Sequence, residues 1–599
     1  MVFLLPQAVD RAAERFPERE AVRFSSVSSR SGSGASRNQS LSYAQLAERS
    51  NRLARVLVEE GVKRGDRVGI YMNKSLESVV AIYGIMKAGA AYVPLDPSAP
   101  LSRLGYVIRD CGIRHLITHK RKADRVGEML AQGAALECVI GLPPKALPRP
   151  QDLPIRTISW QEVYQTPGHR LVDVAASRGT IEQDLAYILY TSGSTGDPKG
   201  IMHTHRSGLS FAQWAAQTYS LDHHDRVSNH APLHFDLSTF DFFAAALAGA
   251  TTVIIPEEYK MLPASLSKLM ADEKMTVWYS VPFALTQLLL RGALQDRDLS
   301  ALRWILFAGE PFATKYLRQL MRQLPHARFS NLYGPTETNV CTYYHVPPLS
   351  DGGAHDSKSN KLLADTPIPI GKVCANAEAL VLRGGADKVG AIPCGCPDQA
   401  CGCPDQACDC PDQPAAPGEE GELLIRGPLL MRGYWGRPDL NERAFLRRAV
   451  FGQYEDLFYR TGDLVQLLPD GNFKFLGRKD RQIKIRGHRV ELDEIEVALQ
   501  SHQQVQEAAV YPVPDGQTSQ QIEAVVTLKQ APTSKCGDTS AQIGVGEALS
   551  SADLRRHISK QLPWYAIPTK IAIVEELPRT STDKINRREL QAQASATPG

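Results

Sequence analysis

The strongest constraint on the fold is the regular alternation of amphipathic helical segments with short apolar runs. Apolar residues recur at helical spacing over residues 46–58 and 76–87. Each of these predicted helices is followed by an extended run, and the pattern returns further along the chain. Such alternation predicts an α/β fold, in which helices cover mostly parallel sheets and ligands bind beyond the carboxyl ends of the strands. The predicted strands occupy residues 67–71, 91–95, 186–190, 252–255, 276–281, 304–307 and 329–333.

Length and composition narrow the class of protein. A chain of 599 residues exceeds what one hydrophobic core usually organises, so we expect at least two domains. The composition, 43% hydrophobic and 22% charged, without an apolar run of about eighteen residues, predicts a globular chain and no membrane span. The net charge of +3 argues against nucleic acid as a partner. The N-terminal apolar stretch stops at Pro6 without a basic region, so no secretory signal is predicted and we expect a cytoplasmic protein.

Four segments interrupt the alternating pattern. Residues 25–40, 352–361 and about 530–551 are polar and are predicted to be surface insertions. Residues 394–414 form a tandem repeat, CGCPDQA, CGCPDQA, CDCPDQP, which contains six of the eleven cysteines. The Cys-X-Cys pairs suit zinc or copper(I), and an expanded surface repeat without function explains the same residues. Disulfides are not expected to organise the fold.

A glycine- and hydroxyl-rich string, YTSGSTGDPKG at residues 190–200, directly follows a predicted strand. Glycines let backbone N–H groups approach an anion, hydroxyls add donors, and a lysine adds a positive charge. The string lacks the Gly-Lys-Ser/Thr ending of a P-loop, and a polar turn is the plain alternative. The predicted phosphate contacts are Thr191, Ser192, Gly193, Ser194, Thr195, Gly196 and Lys199.

This string resembles the phosphate loop of adenylate-forming enzymes, and further blocks follow in the order found in amino-acid adenylation domains. The resemblance implies a large N-terminal domain, residues 1–478, that includes a β subdomain and holds the site. A small mobile α+β domain, residues 479–599, would follow a hinge at Asp480. The blocks are LSYAQL (41–46), MKAGAAYVPLD (86–96), HFDLS (234–238), NLYGPTET (331–338), GELLIRGPLLMRGYW (421–435), YRTGDL (459–464), GRKDRQIKIRGHRVELDEIE (477–496) and the segment 563–590.

The resemblance implies two half-reactions: adenylation of an amino acid with ATP and Mg²⁺, then transfer of the aminoacyl group to a phosphopantetheine thiol. Tyr333 would contact adenine, Thr336 the α-phosphate and Asp463 the ribose, and Glu337 would bind the metal. Lys584 would bridge the carboxylate and the nucleotide, although Thr582-Asp583 replaces the family's usual Asn-Gly. The further nucleotide contacts implied are Gly309, Glu310, Asn331, Gly334 and Arg478.

The substrate pocket implied by the resemblance is apolar except at two positions and one hydroxyl. Asp236 would receive the α-ammonium group of an amino acid, and Lys584 would close the pocket. The remaining lining residues are Leu237, Phe240, Tyr279, Leu306, Ala308, Leu332, Val340 and Cys341. This set resembles the pocket of free-standing proline-activating enzymes and predicts L-proline, with pipecolate or valine differing by only one or two methylenes.

The expected partner is a phosphopantetheinylated carrier protein acting in trans, because no carrier serine motif follows Leu590. The positive charges at residues 479, 481, 484, 486 and 489 have two explanations. They could form a basic patch that docks an acidic carrier protein, or they could lie on solvated helix or hairpin faces. The rival functions are activation of another small apolar amino acid, formation of a coenzyme A thioester, and a non-catalytic protein that binds nucleotide or carrier and uses the cysteine repeat for metal.

Overall fold

The computed structural model describes residues 2–25, 39–144, 146–147, 155–169, 179–193, 196–349, 367–383, 414–515, 520–529, 549–580 and 585–596. Most of the predicted surface insertions and residues 394–413 of the cysteine repeat lie outside this part of the chain. Gln39–Ser42, at the end of the first predicted insertion, forms a strand.

The strands and helices follow one another in an order close to the predicted alternation. In chain order, the strands are β1 (Glu20–Phe24), β2 (Gln39–Ser42), β3 (Arg67–Tyr71), β4 (Ala91–Pro94), β5 (His115–Thr118), β6 (Cys138–Ile140), β7 (Arg156–Ile158), β8 (Leu185–Thr191), β9 (Lys199–Thr204), β10 (Arg226–Asn229), β11 (Thr251–Ile254), β12 (Val277–Ser280), β13 (Trp304–Ala308), β14 (Arg328–Tyr333), β15 (Thr342–Val346), β16 (Lys372–Val373), β17 (Glu378–Leu382), β18 (Glu420–Arg426), β19 (Gly433–Tyr434), β20 (Phe445–Phe451), β21 (Tyr454–Leu467), β22 (Phe473–Arg478), β23 (Gln482–Ile485), β24 (His488–Glu491), β25 (Val505–Pro514), β26 (Gln520–Leu528) and β27 (Lys570–Val574). The α-helices are α1 (Pro6–Arg15), α2 (Tyr43–Glu59), α3 (Leu76–Lys87), α4 (Leu101–Asp110), α5 (Ala123–Ala131), α6 (Trp160–Gln165), α7 (His205–Thr218), α8 (Leu237–Thr239), α9 (Ala245–Ala248), α10 (Pro263–Asp272), α11 (Pro282–Arg291), α12 (Thr314–Gln323), α13 (Pro438–Ala444), α14 (Leu492–Gln500), α15 (Ser551–Ile558) and α16 (Arg587–Ala596).

Two large sheets form the body of the protein. One has the strand order β19-β9-β8-β4-β3-β5-β6-β7, and the other has the order β16-β15-β14-β13-β12-β10-β11-β1-β2. Their central strands are parallel, and antiparallel strands lie only toward the edges. The α/β prediction is therefore confirmed, and every predicted strand falls on an observed one.

Three smaller sheets follow along the chain. An antiparallel sheet has the order β17-β18-β21-β20, with β22 paired to β21. The hairpin β23–β24 comes next, and β25-β26-β27 form a three-stranded sheet packed against α14 and α16. This α+β arrangement at the C-terminal end is the one predicted for the small domain.

Local sequence explains where the first long helices begin and end. Ser42 and Gln45 form a capping box that starts α2, and Ser75 and Ser78 form another that starts α3. Gly89, with φ +81°, permits the left-handed turn after α3. Most of α3 is buried because it packs between sheet and helix. Within the described residues, no helix combines the length and the apolarity needed to cross a membrane.

Candidate active site

The candidate site is a cavity of about 130 Å³ where the two large sheets meet under the β23–β24 hairpin. The carboxyl ends of β8, β12, β13 and β14 reach it, as expected for a ligand site in open parallel sheets. The predicted site residues that line the cavity are Thr191, Ser192, Asp236, Leu237, Tyr279, Ala308, Gly309, Gly334, Thr336, Val340, Asp463 and Arg478.

Asp236 presents a carboxylate to this cavity from the loop that follows β10. Burial raises the pKa of Asp236, while a hydrogen bond from Thr336 and the nearby Lys484 ammonium partly offset the rise. A carboxylate that has lost most of its water gains most from a cation that arrives with a ligand. The position therefore suits an ammonium group.

The wall beside Asp236 is mostly apolar. Leu237, Tyr279, Ala308 and Val340 line the cavity. Phe240 lies behind Tyr279, with the ring centres 5.2 Å apart in an edge-to-face arrangement. This wall offers a small apolar surface next to one carboxylate.

Three predicted lining residues lie behind the wall. Leu306 and Leu332 are buried in the same apolar cluster as Tyr279. Cys341 packs instead with Ile370 and Leu423 in a cluster against the antiparallel sheet. The side chains of Val340 and Cys341 thus point to different sides, because Val340 lines the cavity and Cys341 belongs to the neighbouring cluster. Among the described residues, the predicted lining residues that do not line this cavity are Phe240, Leu306, Leu332 and Cys341, which corrects the sequence prediction for this arrangement.

The glycine- and hydroxyl-rich loop lies at one end of the cavity. The Ser192 hydroxyl donates to the backbone oxygen of Arg489 at 3.0 Å. The Thr191 Oγ1 atom is buried and has no hydrogen-bond partner among the residues that the structure describes. Gly196 has φ +92° and its backbone N–H donates to Gly193. A buried hydroxyl without a partner is consistent with a loop that receives a polar ligand.

Glu337 is fully buried and surrounded by donors. Arg489 Nη1 donates to both carboxylate oxygens, at 2.9 and 2.8 Å, and the Tyr434 hydroxyl donates at 2.7 Å. Lys199 Nζ lies 3.7 Å from Glu337 Oε1. Burial alone would raise the pKa of Glu337, but Arg489, Lys199 and Tyr434 hold it well below its ordinary value. Burial and the neighbouring Arg489 lower the pKa of Lys199 to about 8.

A second group of polar side chains lies where β14 meets β21 and β22 of the antiparallel sheet. The Tyr333 hydroxyl donates to Asp463, and Arg478 Nη1 donates to the same carboxylate at 2.6 Å. Arg478 also donates to Asp480, at 2.6 and 2.7 Å. Burial raises the pKa of Asp463, and Arg478 and Tyr333 oppose that rise. The predicted adenine, ribose and hinge residues are thus joined in one network.

Four further predicted nucleotide contacts have clear local roles. Gly309 has φ +100°, and a side chain at Gly334 would collide with the backbone oxygen of Asn339. The Asn331 amide donates to the backbone oxygen of Pro369, so its side chain is committed to the fold. The Glu310 carboxylate accepts from the N–H groups of Phe283 and Gly487, at 2.8 and 3.1 Å.

The β23–β24 hairpin also lines the cavity, which the sequence pattern had not led us to expect. Gln482, Lys484, Gly487 and Arg489 all line it. Burial lowers the pKa of Lys484, and Asp463 and Asp236 oppose this. The alternation of Gln482 and Lys484 on one face of a short strand was the available signal.

The five basic residues considered for a docking patch do not form one. Lys484 and Arg489 face the cavity, Arg481 pairs with Asp493 and Glu496, and Lys479 pairs with Glu422. The guanidinium of Arg486 lies over the ring of Phe283.

Some predicted site residues lie outside the described residues, namely Ser194, Thr195 and Lys584. The residue after Lys584, Ile585, packs with Leu577 and Leu590 on the three-stranded sheet. Among the described residues, the β23–β24 hairpin contributes Gln482, Lys484, Gly487 and Arg489 to the cavity lining. The role of Lys584 stays a prediction.

A larger cavity, of about 730 Å³, adjoins the first one. His234, Phe235 and Leu237 line both cavities. The larger cavity extends to Met261 and Trp564, whose side chains are exposed at the surface. The buried site therefore has a neighbouring passage to solvent.

Comparison with known proteins defines the class. The family model described as AMP-binding enzyme matches residues 9–435, and the model for the AMP-binding enzyme C-terminal domain matches residues 494–584. The chain belongs to the AMP-binding enzyme family and is an adenylate-forming ligase.

Individual relatives and solved structures are similar to this chain over most of its length. The chain is 33% identical to an L-proline--[L-prolyl-carrier protein] ligase of Pseudomonas fluorescens, over 98% of this chain and 99% of that protein. It is 32% identical to the protein of the same name from Streptomyces coelicolor, over 93% of each. Among solved structures, the Vibrio cholerae adenylation domain AlmE in complex with glycyl-adenosine-5'-phosphate has the same fold. It gives a TM-score of 0.73 at 24% identity, over 100% of this chain and 98% of that one.

Proposed function

We propose that this protein activates L-proline with ATP to give prolyl-AMP and transfers the prolyl group to the phosphopantetheine thiol of a separate carrier protein. The single observation that carries the proposal is the Asp236 carboxylate, partly stripped of water, beside an apolar wall at the edge of the parallel sheets. The names of two relatives of nearly equal length support the choice of proline and of a carrier.

Recognition of the amino acid begins with charge. Asp236 accepts hydrogen bonds from the substrate ammonium group. The ring of L-proline contacts the apolar wall formed by Leu237, Tyr279, Ala308 and Val340. A charge-assisted hydrogen bond contributes about 1.5–3 kcal/mol, which is enough to favour amino acids over acids without an ammonium group. Fatty and aryl acids leave Asp236 buried without a cation, so they are disfavoured.

In the adenylation step, a substrate carboxylate oxygen attacks the α-phosphorus of ATP, and the bond from that phosphorus to the leaving pyrophosphate breaks. Thr191 and Ser192, which line the cavity, and Lys199, beside Glu337, would contact the phosphates, and Asp463 would contact the ribose. Lys199 and Lys584 stabilise the charge that develops on the phosphate oxygens. Lys584 acts after the β23–β24 hairpin has left the cavity.

Magnesium fits this site through Glu337. The structure describes no cluster of three acidic, histidine or cysteine ligands, so one carboxylate would act together with phosphate oxygens and water, as Mg²⁺ often requires. Arg489 and Lys199 lie against the Glu337 carboxylate in this structure, so the carboxylate is ionised and surrounded by positive charge. When bound, the metal neutralises charge on the transferred nucleotide.

The transfer step uses the larger cavity. The carrier thiol passes beside Phe235 and His234 and attacks the prolyl carbonyl, so a C–S bond forms and the C–O bond to AMP breaks. AMP leaves with the bonding electron pair, and the thiol proton is released to water. A passage of this size suits a long, flexible phosphopantetheine arm, and its outer end at Met261 and Trp564 offers apolar surface to a carrier.

Exchange of labelled pyrophosphate into ATP tests the proposal directly. The purified protein is assayed with L-proline, pipecolate, L-valine, glycine, L-glutamate, a fatty acid and an aryl acid. We expect L-proline to give the highest kcat/KM. Highest exchange with another apolar amino acid would replace proline as the substrate, and exchange with a fatty or aryl acid alone would favour a coenzyme A ligase. No exchange with any acid would contradict the proposed activity and favour the binding-protein alternative.

A further inference from the structure

Lys74 connects the two large sheets next to the candidate site. It lies in the connection between β3, a strand of one large sheet, and α3. Its side chain is almost completely buried. Its ammonium group donates to the backbone oxygens of Asn229, at 2.6 Å, and His230, at 3.0 Å. Asn229 is the last residue of β10, which belongs to the other sheet. A single side chain thus fixes the end of a strand in the opposite sheet.

The same strand end makes a second buried polar contact. The Asn229 amide donates to the carboxyl of Asp241 at 2.9 Å, and the Thr252 hydroxyl donates to the Asp241 backbone oxygen at 2.6 Å. Asp241 is fully buried in a π-helical turn, Phe240–Ala244. The loop of residues 230–240, which carries Asp236, is therefore held at its start by Lys74 and at its end by Asp241.

A buried ammonium group is costly, so its position calls for an explanation. Burial and Lys260 lower the pKa of Lys74 to about 7, while Glu257 and Asp241 favour its charged form. The charged or titratable groups that face Lys74 are Asp241, Glu257, Lys260 and His230. An apolar side chain of similar length would avoid the cost, but it could not donate to the two carbonyls.

We propose that Lys74 is a positioning residue that sets the location of Asp236 relative to the phosphate loop. This inference rests on the proposed function, in which Asp236 holds the amino acid and the loop of the other sheet holds ATP. The attack on the α-phosphorus needs both substrates in one geometry, and a displacement of about 1 Å can cost roughly a hundredfold in rate. Lys74 touches neither substrate and acts through residues 229–240.

The first experiment compares Lys74→Met and Lys74→Arg with Lys268→Met as the control. Lys268 is an exposed lysine on α10 that pairs with Asp272. In pyrophosphate exchange, Lys74→Met should raise the KM for L-proline about tenfold or more and lower kcat, while the KM for ATP changes much less. Lys268→Met should behave like the unchanged protein. Unaltered proline kinetics in a folded Lys74→Met protein would overturn the proposal.

The pH dependence separates positioning by the ammonium group from a merely structural role. In the unchanged protein, the KM for L-proline should rise as the pH increases above about 7, because Lys74 loses its proton. Lys74→Arg keeps its charge and should remove this rise. A rise of equal size in the Lys74→Arg protein would contradict the role given to Lys74.

The second experiment does not depend on the activity. Hydrogen exchange is measured without substrates, and peptides covering residues 230–240 should exchange faster in Lys74→Met than in the unchanged protein. Peptides covering α15 (Ser551–Ile558) serve as the internal control. Equal exchange over residues 230–240 would refute positioning even if the kinetics had changed. If the unchanged protein activates no amino acid, the proposed function fails, and this measurement still decides whether Lys74 orders the loop.

Discussion

Arg489 and Glu337 are joined across 152 residues by one guanidinium nitrogen that donates to both carboxylate oxygens. The pair ties the β23–β24 hairpin to the turn at the centre of the candidate site. Glu337 is also the residue proposed to bind magnesium. If magnesium binds there as proposed, the guanidinium and the metal would compete for one carboxylate, and the position of the hairpin should be linked to metal binding.

Arg489→Gln should lower the Mg²⁺ concentration that half-saturates pyrophosphate exchange by roughly tenfold, because a hydrogen-bonded charge no longer competes for Glu337. It should also slow thioester transfer, since the hairpin loses its anchor. A magnesium titration of both half-reactions measures this. Arg481→Gln, which disrupts a pair outside the cavity, is the control. An unchanged magnesium requirement would refute the competition.

Asp236→Asn should raise the KM for L-proline about ten- to a hundredfold and leave the KM for ATP nearly unchanged. The amide keeps the size of the side chain but loses the charge that binds an ammonium group. Steady-state pyrophosphate exchange gives both constants, with Asp272→Asn on the exposed face of α10 as the control. Equal effects on both substrates would argue that Asp236 supports the fold instead.

Asp480→Pro should leave prolyl-AMP formation largely intact and slow transfer to a carrier thiol. Proline fixes φ at a residue predicted to absorb the rotation between the two domains. Single-turnover assays of each half-reaction, with D-pantetheine as the thiol, separate the two effects. Asp480→Ala is the matched control, because it removes the carboxylate bonded to Arg478 but keeps backbone freedom. Equal loss of both steps in the proline variant would contradict a hinge at this residue.

Val340→Ala should shift selectivity from L-proline toward the larger pipecolate. Val340 lines the cavity, and its truncation removes two carbon atoms, which makes room for the one methylene by which pipecolate exceeds L-proline. Such a difference is worth about 1–3 kcal/mol in discrimination. The ratio of kcat/KM for the two amino acids measures the shift. Cys341→Ala, next to it but facing away, should leave the ratio unchanged, and a larger shift there would contradict the assignment of the wall.

The free energy of unfolding should fall as the pH decreases from about 6.5 to about 4, in part because of His203. Burial lowers the pKa of His203 to about 4, and its Nε2–H donates to the backbone oxygen of Thr336 at 2.8 Å. Between these pH values the unfolded chain binds the additional proton, so the free energy of unfolding falls by up to about 1.4 kcal/mol per pH unit. Urea unfolding at pH 7.5 and 5.0 should show a smaller loss for His203→Gln than for the unchanged protein. Equal losses would contradict a buried neutral imidazole.

Much of the fold could be predicted because its signals are local. The apolar runs that became β3, β8 and β13 are mostly buried on both faces, so they stand out in sequence without knowledge of their partners. The side to which the Cys341 side chain points could not be predicted from neighbouring residues. It is set by packing against residues distant in the sequence, such as Ile370 and Leu423.

The sequence by itself determined the alternation of helices and strands, the position of the phosphate loop, and the residue types that the site needs. Only the tertiary structure decided that Lys74 of one sheet holds the end of β10 in the other, and that Arg489 reaches Glu337. Backbone preferences and the periodicity of apolar residues act between near neighbours, so a sequence can be read for them directly. Contacts between residues more than 150 positions apart depend on how whole sheets pack, and that packing is settled by the sum of many contacts across the chain.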